Sequence, residues 1–421
     1  MVIHTGWKHR SWIVIALLIC GAVSAQESSR AGGGRRLSLP ESPHQYSEMG
    51  IPALRGRNVR QRGRFGRRSD NTPGDNPITD LGATLGRVLF YDTRLSVDGT
   101  VSCASCHLQK NAFADPRRVS VGIEGRAGKR NAPSLVNARY NSNGRFFWDE
   151  RAGSLEEQVL MPIQDPVEMG FELEDLVERL DSIPEYRELF AGAFGATDVT
   201  EDRISKALAQ FVRSLVSYRS RFDEGLAQAG AVANDFPNFT AQENLGKSIF
   251  FGRNDRGGGS CASCHTDRGG RRGRGGQANP VLFVARQASN NGLDAEVGGD
   301  NGVGDVTGRD RDNGRFKVPS LRGVGVTAPY MHDARFATLE EVVEFYDSGV
   351  QGHPNLDRRL SRGGRGGRGR RGFGRGGGFR PPTSPRRMNL TDSEKKGLVA
   401  FLKTLTDSQF LGDPRFSDPF R

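Results

Sequence analysis

The chain has 421 residues, room for two domains of ordinary size, and a formal net charge of +11 from 60 Lys and Arg against 49 Asp and Glu. Such a surplus normally points to nucleic acid, yet much of the excess arginine stands in Gly-rich tracts at residues 30–68, 268–274 and 362–375. That composition cannot bury a core and reads as solvated tail and insertions rather than a binding face.

The first 25 residues read as an export signal. Lys8, His9 and Arg10 precede the apolar run from Trp12 to Ile19, and Val23-Ser24-Ala25 offers a small-x-small cleavage site. The apolar run is too short to span a bilayer, so no membrane span is expected after cleavage, and the mature chain is placed in the periplasm. Export also removes RNA as a partner; no nucleic acid is expected. Residues 26–75 are linker-like, with Gly, Arg, Pro and Ser and no sustained apolar period, and little order is expected there.

A first domain is expected over 76–232. Leu81, Leu85, Val88 and Leu89 recur at helical spacing and lead into Cys103-Ala104-Ser105-Cys106-His107. Gly122, Gly125 and Gly128 mark a loop closed by Arg130-Asn131-Ala132-Pro133. Ser154 with Glu157 forms a capping box, and Leu173, Leu176, Val177 and Leu180, then Ile204, Leu208, Phe211 and Leu215, make two apolar stripes. The pattern lapses over 227–239, which marks the boundary to a second domain at 233–412.

There Thr240 with Glu243 caps a helix bearing Leu245, Ile249 and Phe250 that leads to a second pentapeptide, Cys261-Ala262-Ser263-Cys264-His265. The arrangement reads as an internal duplication. Asp300, Asp305, Asp310 and Asp312 lack EF-hand spacing and read as a solvated loop. Thr338 with Glu341, and Thr391 with Glu394, cap two further helices.

In a CxxCH stretch the two thiols can attach one haem while the histidine serves as its proximal ligand. Two copies imply two covalent c-type haems, held by Cys103, Cys106 and His107 and by Cys261, Cys264 and His265. The remaining cysteine, Cys20, falls in the signal. A zinc site would need both pairs to converge on one ion. Beyond the two proximal residues, the mature histidines are His44, His332 and His353, so bis-histidine ligation of both haems is poorly supplied.

Several stretches together resemble the bacterial dihaem cytochrome c peroxidase and MauG superfamily over roughly residues 80–408: Leu85 to Asp92 with Leu95-Ser96, both CASCH motifs, Arg130 to Ser134, Phe316 to Arg322, Thr327 to Tyr330, and Ala337 to Glu341. The resemblance implies a mainly α fold of two cytochrome c-like haem domains packed against each other, here with a disordered Gly/Arg-rich tail and insertions. It implies an open, peroxide-binding first haem and a six-coordinate second haem, with Trp148 relaying electrons between them. Gln158, Pro162 and Glu168 match the distal-pocket residues, with Glu168 as the proton-transfer group. Where many members carry a removable histidine over the first iron, this chain has Ile123, so that iron is expected to be open at rest.

Tyr346 aligns with the sixth ligand of the second haem, with Met331 and His332 as rivals nearby; tyrosine at that place is the MauG-like pattern. Asn131, Thr327 and Pro329 match positions that hold a calcium ion between the haems. The leading expectation is an exported peroxidase reducing hydrogen peroxide with electrons from a small cytochrome c or copper protein. A MauG-like enzyme oxidising a residue of a partner protein, and a non-catalytic electron-transfer cytochrome, are the alternatives.

Overall fold

A computed structural model describes residues 35–51, 70–141, 143–252, 261–266, 282–285, 287–296, 298–361 and 384–421. The signal at 1–25 and the arginine-glycine tracts at 268–274 and 362–375 lie outside the described residues. Among the described residues the regular structure is helical, with isolated bridges and no strand.

Helix α1, Asp80–Tyr91, begins where Thr79 accepts from Gly82 N, and nearly all of it is buried. After the first motif come α2, Leu155–Gln164, α3, Leu173–Asp181, α4, Pro184–Phe194, α5, Glu201–Ser214, and α6, Arg221–Ala229. The second half contributes α7, Ala241–Phe250, α8, Leu339–Glu344, α9, Asp392–Lys403, and α10, Ser408–Leu411. The capping boxes read at Thr240, Thr338 and Thr391 are all formed, each threonine accepting from the glutamate N–H three residues on. At α2, Ser154 Oγ accepts from Glu157 N, while Glu157 turns its carboxylate to Gly153 N.

The duplication extends to how each delivery helix is packed. α1 carries Leu85-Gly86-Arg87-Val88-Leu89-Phe90 and α7 carries Leu245-Gly246-Lys247-Ser248-Ile249-Phe250. A Cβ added at Gly86 would lie 2.0 Å from the Ala207 carbonyl on α5, and one at Gly246 would lie 1.8 Å from the Gly397 carbonyl on α9. Each crossing therefore brings backbone against backbone, which only glycine permits.

The two halves share one continuous core. The stretch at 227–239, where periodicity lapses, is itself part of it: Phe236 and Phe239 are buried and join Phe222, Phe250, Phe283 and Phe401 in a cluster with ring centroids 5.0 to 6.5 Å apart. Aromatic contacts of this kind contribute about 0.5–1.5 kcal/mol each beyond burial. Irregular chain can bury rings without a helical period, so the missing period did not signal a gap in the core.

Residues 35–51 correct the expectation of little order before residue 75. They run as an extended strap that buries Tyr46, Met49 and Ile51 and pairs with the C-terminus through Arg36 N to Arg421 O (2.8 Å) and Arg421 N to Arg36 O (2.9 Å). Tyr46 donates to Arg415 O (2.5 Å), and Tyr91 of α1 to Phe416 O (2.6 Å). The C-terminal residues thus fold back onto the first half. An extended strap has no helical period, which is why composition alone read it as linker. The acidic loop also differs from expectation: Asp300 pairs with Arg130, and Asp312 is buried and accepts from Arg315 and Thr307.

Candidate active site

The first CASCH motif forms a single helical turn, Cys103–Cys106, opened by Ser102, whose N–H donates to Ser105 Oγ (3.0 Å). Three residues apart, both thiols project from one side of that turn. His107 follows, and its Nδ1 lies 2.8 Å from the Phe113 carbonyl. A carbonyl only accepts, so Nδ1 carries the proton and Nε2 presents its lone pair. Ala112 (φ 51°) and Phe113 (φ 57°) are both left-handed, and this tight turn aims the carbonyl back at the ring. Burial lowers the His107 pKa and keeps the ring neutral. A neutral imidazole with one nitrogen fixed by a carbonyl is the form a haem iron binds.

His107, Cys103 and Cys106 line a cavity of about 840 Å³, within the range of cofactor sites. Trp148, Gln158, Pro162 and Glu168 line the same cavity, so the residues assigned by resemblance to the first site are brought together. Gln158 and Pro162 lie on α2 one turn apart; lacking an N–H, Pro162 cannot bond the Gln158 carbonyl, and the helix ends two residues later. Glu168 follows in the next turn. Burial raises its pKa, Asp165 adds to the rise and Arg151 opposes it.

Gly122 explains how the preceding loop reaches this turn. Ile123 N donates to Glu168 O (3.0 Å), and a Cβ at Gly122 would fall 1.9 Å from Val167 O. Ile123 itself is buried, with its Cδ1 close over Gly170, and it offers the cavity no ligating atom.

Trp148 stands between two left-handed residues, Phe147 (φ 64°) and Glu150 (φ 58°). Its Nε1 donates to Asn131 O (2.8 Å), and its carbonyl accepts from Lys317 N (2.7 Å). His332 meets the indole edge-on at 6.3 Å and stacks on Phe316 at 3.7 Å. Arg130 ties this region together, bonding Asp149 at 2.6 Å and Asp300 through both oxygens at 2.7 and 2.8 Å.

The second motif also turns as a short helix, Ala262–His265. His265 is enclosed and its pKa falls to about 4 through burial. A backbone hydrogen bond to the Pro319 carbonyl opposes that fall, as the Phe113 carbonyl does at His107.

Tyr346 comes beside this motif because α8 gives way at Phe345 to a π-type turn, Phe345–Gly349. Such turns shift the register of side chains and are frequent at functional sites. Burial raises the Tyr346 pKa to about 12, with the neighbouring Cys264 and Cys261 adding to the rise and Asn291 opposing it. Asn291 Nδ2 lies 3.3 Å from the Tyr346 hydroxyl and 3.7 Å from Met331 Sδ, so the phenol and the thioether share one amide. His332 is engaged with Phe316, Trp148 and Asp300 instead.

Asn131 spends both amide hydrogens, donating from Nδ2 to Asp115 O (3.0 Å) and Arg117 O (2.8 Å). Its Oδ1 is the group left for a cation, and Asn131 N to His332 O (2.9 Å) sets it against the segment that carries Thr327 and Pro329. His44 lies edge-on to Tyr46 in the terminal strap, and His353 Nδ1 accepts from Asn355 N (2.9 Å).

One pair of site residues escaped sequence reasoning. Arg117, gripped by Asp115 at 2.9 and 2.8 Å, donates to Ser105 O of the first motif (2.9 Å). Arg359, gripped by Asp357 at 2.8 and 2.7 Å, donates to Ser263 O of the second (2.7 Å). The shared Asp-x-Arg spacing was the signal, but the two copies stand at very different distances from their motifs.

The donor sets fit haem better than the alternatives. A redox CxxC lowers the pKa of its thiol, whereas burial raises both Cys103 and Cys261 to about 12. Among the described residues no group of three His, Cys, Asp or Glu is placed to hold a metal ion, and no helix is long and apolar enough to cross a membrane.

Residues 81–230 match the di-haem cytochrome c peroxidase family. The chain is 33% identical over 327 residues to the cytochrome c551 peroxidase of Nitrosomonas europaea, covering 78% of this chain and 80% of that protein. It is also 33% identical to the methylamine utilization protein MauG of Methylophilus methylotrophus, over 80% of this chain and 87% of that protein. A MauG-like protein associated with microbial copper homeostasis, solved by crystallography, shares 33% identity and superposes with a TM-score of 0.65 over 83% of this chain and 96% of that one. With both CASCH turns in place, the chain belongs to the di-haem cytochrome c peroxidase and MauG family, oxidoreductases that carry two c-type haems.

Proposed function

We propose that the protein is an exported, periplasmic dihaem peroxidase that reduces hydrogen peroxide to water at the site of Cys103, Cys106 and His107, drawing electrons through the second motif from a small cytochrome c or copper protein. The observation that carries this reading is the placement of the Glu168 carboxyl, with its raised pKa, on the cavity lined by His107. A lone electron carrier has no use for a proton-transfer group there. The buried Ile123, in place of a removable histidine, supports an iron open at rest.

When bound, the haems would supply the iron at which peroxide is reduced and pass on the electrons that its reduction consumes. The chain supplies the rest. His107, its Nδ1 held by the Phe113 carbonyl, would offer its Nε2 lone pair to the iron. Glu168, as carboxylate, takes the proton from the near peroxide oxygen and returns it to the departing one, a role worth about 10²–10⁴ in rate. Gln158 and Pro162, one turn apart on α2, wall the same cavity. Trp148 lines the cavity on one side and meets His332 on the other; His332 adjoins Met331, which shares Asn291 with Tyr346. This run, which passes along the backbone between His332 and Met331, supports Trp148 as the relay. Asn131 Oδ1 with the Thr327 and Pro329 carbonyls would hold a calcium ion beside it. The domain limits proposed are 76–232 and 233–412.

The placement of Tyr346 by Cys261 and Cys264 favours a second reading, a MauG-like enzyme that oxidises a residue of a partner protein. Phenolate stabilises ferric iron, whereas thioether raises the potential and suits an electron-entry site.

EPR and absorption spectra of the ferric protein before and after peroxide test both readings. One high-spin and one low-spin centre, with steady turnover of peroxide against a reduced small cytochrome c and loss of that turnover in Trp148→Phe, is the expected result. Two low-spin centres unresponsive to peroxide would make the protein an electron carrier. Peroxide-dependent oxidation of a partner protein without turnover of a small donor would favour the MauG-like branch.

A further inference from the structure

Four basic side chains line the first cavity: Lys129, Arg130, Arg151 and Lys317. Arg130 is neutralised by Asp149 and Asp300, and Arg151 pairs with Asp149 at 3.1 Å. Lys129 is exposed to solvent. Lys317 is different. It is half-buried, desolvation lowers its pKa, and among the described residues Glu150 is the one carboxylate that acts on it, without forming an ion pair. Glu150 directs its own Oε1 to Asn143 instead (2.7 Å).

A partly desolvated ammonium without an ion pair among the described residues is disfavoured, and the usual resolutions are neutralisation or an anion brought by a ligand. The cavity is built for a group that carries two carboxylates. The Lys317 backbone N–H is bonded to the carbonyl of Trp148, so the segment that brings Lys317 to the cavity is tied to the backbone of the proposed relay residue.

We propose that the Lys317 ammonium binds one propionate of the haem attached at Cys103 and Cys106, and so seats that haem against Trp148. Lys317 is a positioning residue: it acts on the haem's edge and charge, not on peroxide. The inference rests on haem attachment at the first motif and not on the peroxidase reaction. An ammonium on the propionate cancels a negative charge that would otherwise favour ferric iron, so it raises the reduction potential of this haem.

The test measures the reduction potential of the N-terminal haem by spectroelectrochemistry in the exported holoprotein and in Lys317→Met, Lys317→Gln and Lys317→Arg, from about pH 5 to 9. The two neutral variants should shift to more negative potential and gain a pH dependence as the unpaired propionate titrates, while Lys317→Arg stays close to wild type. Loss of the N-terminal haem from both neutral variants with its retention in Lys317→Arg would equally support the ion pair. A wild-type potential in Lys317→Met or Lys317→Gln across that range, or a shift in Lys317→Arg as large as in Lys317→Met, would overturn it. Because the readout is a potential, a holoprotein that fails to turn over peroxide sinks the proposed function without touching this result.

Discussion

Arg117 and Arg359 occupy the same place against the two haem turns. Each is held in a fork by the aspartate two residues before it, and each donates to the carbonyl of the serine inside its CASCH motif, at 2.9 and 2.7 Å. The pairing fixes the guanidinium before the haem arrives, and Arg117 also reaches Cys106 Sγ at 3.6 Å.

Removing either arginine should therefore impair one haem site and spare the other. A hydrogen bond involving a charged group is worth about 1.5–3 kcal/mol, and the aspartate left behind is largely buried. Arg117→Ala should lower haem attachment at Cys103 and Cys106 while leaving Cys261 and Cys264 loaded, and Arg359→Ala the reverse. Mass spectrometry of haem-bearing peptides decides it; equal loss at both motifs in either variant would show a general folding defect instead.

The two glycine crossings lead to a second prediction. At Gly86 and Gly246 an added methyl would meet a backbone carbonyl at 2.0 and 1.8 Å, and backbone cannot rotate aside as a side chain can. Overpacking of this kind costs about 1–3 kcal/mol, and each kcal/mol lowers Tm by roughly 2–4 °C in domains of this size. Gly86→Ala and Gly246→Ala should each lower Tm by several degrees, measured by calorimetry on the holoprotein. A control at Gly192, where nothing lies within 4 Å, should leave Tm unchanged or raise it.

What could be read in the sequence was local. The CASCH turns, the capping boxes at Thr240, Thr338 and Thr391, and the apolar faces of α1 and α5 are each written within a dozen residues, and the structure has them where spacing put them. Trp148, Gln158, Pro162 and Glu168 were named through resemblance and meet in one cavity. The rest depended on pairings between distant parts of the chain. Tyr46 finds its acceptor 369 residues away, and Arg359 its serine carbonyl 96 residues away. Lys317 looked like one residue in a Phe-Lys-Val-Pro stretch until the fold set it in a cavity whose other cations were paired or exposed. The register shift at Phe345 was equally hidden, since α8 reads as an uninterrupted helix past Tyr346.

Calcium removal gives a third prediction. If Asn131 Oδ1 ligates a cation, the ion also steadies the carbonyl that accepts from Trp148 Nε1 at 2.8 Å. Stripping with a chelator should lower Tm and alter the low-spin EPR signals, and added calcium should restore both. Any ion that binds the native state stabilises it by mass action, so Asn131→Ala should abolish the calcium-dependent rise in Tm. A rise that persists in Asn131→Ala would place the ion elsewhere.

Glu168 offers the sharpest test because activity and stability should move in opposite directions. Burial and Asp165 raise its pKa above the ordinary carboxylate value. A carboxyl whose pKa is higher in the folded than in the unfolded chain binds protons more tightly when folded. Its contribution to stability is therefore full below the unfolded pKa, near 4.3, and is lost as pH rises through the folded value. Near pH 7 the charged form is the strained one. Glu168→Gln removes that charge, so it should be more stable than wild type near neutral pH, with the difference shrinking as pH falls toward 4. The reaction needs the carboxylate as proton acceptor, so wild-type kcat/KM for peroxide should rise with pH through the raised pKa and then level. Glu168→Gln should lose about 10²–10⁴ in that constant and lose the rise as well. Stopped-flow kinetics and thermal melts over the same pH series read both arms; a variant with wild-type turnover and an unchanged pH profile would remove Glu168 from the reaction.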